Sequence, residues 1–69
     1  MKELKKQLKH ERKEVDEKID ELAAFLNIQH DQQTVSNTQL SLASTQFMLL
    51  ETYHVLIDRR IKDLKKERS

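Results

Sequence analysis

The chain has 69 residues, 36% of them charged, no Gly, Pro or Cys, two Phe and one Tyr, and a formal net charge of +1. This length supports one domain at most, near the size where a single core is marginal. Absent Cys excludes disulfides and thiolate metal sites, and the small net charge argues against a whole-molecule electrostatic grip on nucleic acid.

With neither Gly nor Pro to punctuate turns, long uninterrupted helices are expected. No apolar run approaches the roughly 18 residues a membrane span needs. The opening MKELKKQLKHERK has charged residues where a signal peptide needs an apolar stretch, so a soluble, intracellular, all-helical chain is expected.

The first predicted helix runs from Lys2 to about Ile28. Its apolar residues Leu8, Val15, Ile19, Leu22 and Leu26 step by three, four or seven and define one stripe. Upstream of Val15 the stripe fails at Lys5 and Arg12. The first three turns are therefore expected to rest on i,i+4 charge pairing more than burial, and to project or fray.

The segment NIQHDQQT, Asn27 to Thr34, breaks both periodicities and reads as the connection, with the loop placed at about 29–35. Without Gly, Asn27 or Asp31 is the candidate for a left-handed helix end. The second helix, about 37–66, has a firmer start. Ser36 and Gln39 form an S-x-x-Q capping box, and Val35 and Leu40 stand where a hydrophobic staple would.

From there Leu40, Ala43, Phe47, Leu50, His54, Ile57, Ile61 and Leu64 step 3-4-3-4-3-4-3, a four-heptad seam. Positive side chains close the helix, where the dipole favours them. The whole chain, 1–69, thus reads as a single antiparallel helical hairpin.

A second apolar seam lies beside the first. Leu42, Leu49 and Leu56 recur every seven residues, flanked by Met48, Tyr53 and Val55. That arc is wider than one partner helix covers and would be an aggregation hazard in a monomer. A homo-oligomeric helical bundle is expected, with Leu42, Leu49, Tyr53, Leu56 and His54 at the interface and His54 setting register.

No constellation for catalysis is readable, and no enzymatic activity, cofactor or metal is expected. His10, His30 and His54 lie too far apart for a ligand pair. Asp16, Glu17, Asp20 and Glu21 form a solvated face without a nucleophile–base pair. The cations Lys5, Lys6, Lys9, Arg12 and Lys13 lack enough nearby acids to neutralise them locally. In an antiparallel hairpin they meet Arg59, Arg60, Lys62, Lys65 and Lys66, with Tyr53 one to two turns below. A cationic rim beside an aromatic face suits a base and its phosphates.

The patterns E-V-D-E-K-I-D-E-L-A-A-F-L, V-S-x-x-Q and Q-F-M-L-L-E-T-Y-x-x-L-I-x-R-R-I resemble a group of short helical phage proteins. The stretch Ser41-Leu42-Ala43-Ser44-Thr45 and Arg60 also resemble the phage anti-CBASS sponges over about Glu14 to Ile61. The resemblance implies oligomeric hairpins that sequester cyclic di- and trinucleotides in the host cytoplasm and silence an immune signal. By position it makes Lys18 and Thr45 phosphate-side residues and Arg60 the terminal arginine, with Arg59 beside it. Those sponges carry an aromatic before the first helix, which this chain lacks. Either Tyr53 substitutes, or only the scaffold is shared.

Two other readings stand beside the sponge. One is a hairpin adaptor that oligomerises and binds another protein. The other is a small nucleic-acid binder using the basic first helix, which the weak charge balance disfavours.

Overall fold

The computed structural model describes residues 2–67, and the side chains of 3–65. Two helices account for nearly all of it: α1, Lys2–Asp31, and α2, Asn37–Glu67. They fold back on one another as an antiparallel hairpin measuring 51 × 15 × 14 Å. Its radius of gyration is 15.7 Å, against about 11 Å for a globular chain of this length. Two helices meet along one line and enclose nothing, so the molecule is a rod.

The line of contact is the seam that periodicity picks out. Leu8, Val15, Ile57 and Ile61 are buried, and Leu4, Ile19, Leu50 and Leu64 pack against them. Every member of the 3-4 series from Leu40 to Leu64 is buried or half-buried. Four buried apolar side chains make a thin core, consistent with the limited burial open to so short a chain.

The first turns do not project. Leu8 is 2% exposed and Leu4 packs on the core, because α2 extends far enough to lay Ile61 and Leu64 alongside them. Arg12, where the apolar stripe lapses, ion-pairs across the hairpin with Asp58 at 2.7 Å. A partly buried arginine with a paired head group can take the place of an apolar residue.

The connection also departs from expectation. α1 runs three residues beyond Ile28, the loop is 32–36, and no described residue has a positive φ, Asn27 and Asp31 included. Gln29 explains how the chain reverses without a left-handed residue. Its side chain is buried at 6% exposure. Its Oε1 accepts from the backbone N–H of Thr34 (2.7 Å) and Val35 (3.2 Å), while its Nε2 donates to the Thr34 hydroxyl at 2.8 Å. One amide thus takes up loop groups that a buried turn would otherwise orphan.

The start of α2 stands where the capping signal puts it. Gln39 N–H donates to Ser36 Oγ at 3.1 Å, and Leu40 N–H to the Ser36 carbonyl at 3.0 Å. The reciprocal contact from the Gln39 side chain is absent among the described residues.

Gln29→Ala is expected to lower stability by about 1–3 kcal/mol, since two loop N–H groups and a hydroxyl lose their partner. Gln29→Glu keeps the acceptor and should cost less. Equal thermal midpoints for wild type and Gln29→Ala would show that the clasp is idle.

Candidate interaction face and its basic end

Helical geometry sets which residues of α2 share a face. Leu42, Gln46, Leu49, Tyr53, Leu56, Arg60 and Asp63 step 4-3-4-3-4-3, a second heptad line beside the buried one. All seven are exposed. The leucines are open to 59%, 66% and 52%, Tyr53 to 40%, and the flanking Met48 and Val55 to 65% and 49%. Thr45 borders this line, with its hydroxyl donating to the Ser41 carbonyl at 3.0 Å. The expected surplus seam is therefore present, one unpartnered stripe down α2.

His54 stands apart from this stripe. It lies half-buried in the intramolecular seam, its Nε2 3.2 Å from Asp16 Oδ1. The distance suits attraction to a protonated ring. Yet Nε2 is fully buried and makes no aligned hydrogen bond, so the contact is proximity and not a formed bond. His54 thus faces α1, not outward.

The two cross-hairpin contacts, Arg12 with Asp58 and Asp16 with His54, share one register: paired residue numbers sum to 70. Lys18 is then level with Thr52, and Arg60 with His10. The two basic clusters do converge at the open end of the hairpin, but they are not bare. Asp58 holds Arg12 on one oxygen and Lys62 on the other at 3.1 Å. Hydrogen bonds from Lys62 and then Arg12 keep its carboxyl below the usual aspartate value. Arg59 and Arg60 are exposed and make no ion pair among the described residues. The Lys66 side chain lies outside the described residues.

Arg59, Arg60 and Asp63 rim a groove of about 510 Å³ floored by Leu4, Leu8, Leu56 and Leu64. Lys18 lines a separate hollow with Gln46, Phe25 and Leu50. One chain does not bring the candidate phosphate residues together. Thr45 and Arg60 are fifteen residues apart on a single helix, about 22 Å at 1.5 Å per residue, more than a small nucleotide ring bridges.

A family model described as Sequestin matches residues 2–63. The chain belongs to the Sequestin family. The match takes in nearly all of both helices, the exposed stripe and both arginines. No curated protein and no solved structure matches the chain. In this Sequestin-family hairpin the described residues include no group of three His, Cys, Asp or Glu able to hold a metal. No described helix is long and apolar enough to cross a membrane. Sequence reasoning missed the Gln29 clasp and the Asp58 bridge. Glutamine carries no positional signature, and the bridge depends on a register that periodicity alone does not fix.

Proposed function

We propose that this protein is a non-enzymatic, homo-oligomeric sponge of a phage, acting in the cytoplasm of the infected host. It would sequester cyclic di- or trinucleotide immune signals, as the anti-CBASS resemblance implies. Membership of a family named for sequestration supports binding without turnover. The observation that carries the reading is the exposed apolar stripe ending in two arginines that make no ion pair among the described residues. Apolar and aromatic surface suits a base, and guanidinium groups suit phosphates. In this reading Arg59 and Arg60 hold phosphate, Tyr53 stacks on a base, and Lys18 and Thr45 contribute from a neighbouring copy.

Calorimetry against cyclic di- and trinucleotides tests the reading. Binding is expected with wild type, weakened about 10- to 100-fold by Arg60→Ala, as for loss of a charge-assisted hydrogen bond of about 1.5–3 kcal/mol. No heat from a folded oligomer with any nucleotide would remove it. Recovery of one stoichiometric protein partner instead would favour the adaptor reading, for which the same stripe would serve as the docking face.

A further inference from the structure

The charges on α2 are distributed unevenly. From Asn37 to Leu50 the helix has no charged side chain, and its exposed polar groups are amides and hydroxyls such as Ser41, Ser44, Thr45 and Gln46. From Glu51 onward charge is dense, with Arg59 and Arg60 adjacent and unpaired among the described residues. The apolar stripe crosses the boundary between these halves, with Leu49 on one side of Tyr53 and Leu56 on the other.

Two copies can lay this stripe together in two directions. Parallel packing stacks Arg59 and Arg60 of one copy on the same pair of the other, four guanidinium groups that the two Asp63 carboxylates only half offset. Antiparallel packing separates the two pairs and sets each beside the partner's neutral half. It sets Leu49 of each copy against Leu56 of the other, while Leu42 falls near the partner's Asp63 end. Charge is thus what favours the antiparallel direction.

We infer that the exposed α2 stripe is covered by the same stripe of a second copy, antiparallel, about a two-fold axis within one turn of Tyr53. This deepens the proposed function, on whose premise of self-association it rests, by fixing the direction of the contact. An isologous contact of this kind repeats each interaction twice. Arg59 and Arg60 of one copy approach Thr45 and Gln46 of the other, which supply acceptors but no negative charge. The arginine charge stays available to an external anion at two equivalent places.

Cross-linking decides it cleanly, since the chain has no native Cys. Facing helices stand about 8–10 Å apart, too far for a disulfide at most positions, so a short bis-maleimide is the reagent. Leu42→Cys and Asp63→Cys are both exposed and outside the core. Mixed in equal amounts, the two variants are expected to give a cross-linked dimer, whereas each alone gives little. In a parallel contact the two positions lie about 31 Å apart along the axis by helical rise.

Strong cross-linking of Leu42→Cys with itself, and of Asp63→Cys with itself, would mean parallel packing and overturn the inference. No cross-linking in any mixture, from variants with wild-type helical dichroism, would overturn it too. A contact confirmed by cross-linking in a protein that binds no cyclic nucleotide would leave this inference standing while the proposed ligand fell.

Discussion

Ile57→Ala is expected to leave the protein largely unfolded at room temperature. Ile57 has no exposed surface and belongs to a core of four buried side chains. Truncating a buried Ile to Ala costs about 2–5 kcal/mol, from lost transfer energy and the cavity left behind. A domain this small sits at the low end of the usual range of about 5–15 kcal/mol, so that loss consumes much of its stability. The cavity cannot close easily, because the helices touch along one line and drawing them together at Ile57 would strain the contacts at Leu50 and Leu64. Leu49→Ala is the matched control. It removes similar apolar volume from a position 66% exposed and should leave the chain helical. Both are read by thermal melts at one protein concentration, since self-association would tie stability to concentration. If Ile57→Ala melted within a few degrees of wild type, Ile57 would not be core.

This contrast between two aliphatic residues eight positions apart shows what the sequence made legible. Periodicity separates Ile57 from Leu49, because a 3-4 step over four heptads fits a single helical face. Ser36 was legible for a similar reason: cap chemistry is local and needs only its own neighbours. Features that depend on the pairing of the two helices were not. Leu4 and Leu8 look isolated until α2 is known to reach them. Arg12 counts as a surplus cation until register sets it against Asp58. The helix continues past Ile28 because Gln29 to Asp31 are compatible with a helix, and only the buried Gln29 amide shows why it can. The candidate site was legible as composition, an apolar arc with arginines at one end. Its geometry was not, since one chain spreads those residues along a rod.

Converting two of the stripe residues, Leu49→Glu with Leu56→Glu, is expected to abolish the proposed self-association while preserving the hairpin. Both leucines are more than half exposed in one chain, so the intramolecular core does not need them. In an isologous contact four leucines leave per pair of chains. Full burial of a leucine contributes about 1.5–3 kcal/mol, and these are 66% and 52% exposed, so the loss is about 3.5–7 kcal/mol, before any cost of placing carboxylates against apolar surface. The lower figure alone raises the dissociation constant more than about a hundredfold, at 1.4 kcal/mol per tenfold. Sedimentation at micromolar concentration should then show an assembly for wild type and an 8.3 kDa species for the variant, both helical. A wild type that sediments as a folded monomer sinks self-association, and a variant that stays assembled moves the contact off this stripe. The same variant also orders the two halves of the function. Arg60→Ala should weaken ligand binding and keep the assembly, because Arg60 lies at the stripe's end. Leu49→Glu with Leu56→Glu should lose both, although every arginine remains, because in the proposed contact it is assembly that brings Thr45 and Gln46 of one copy to Arg59 and Arg60 of another. Ligand binding that survives in the monomeric variant would place the whole site within a single hairpin.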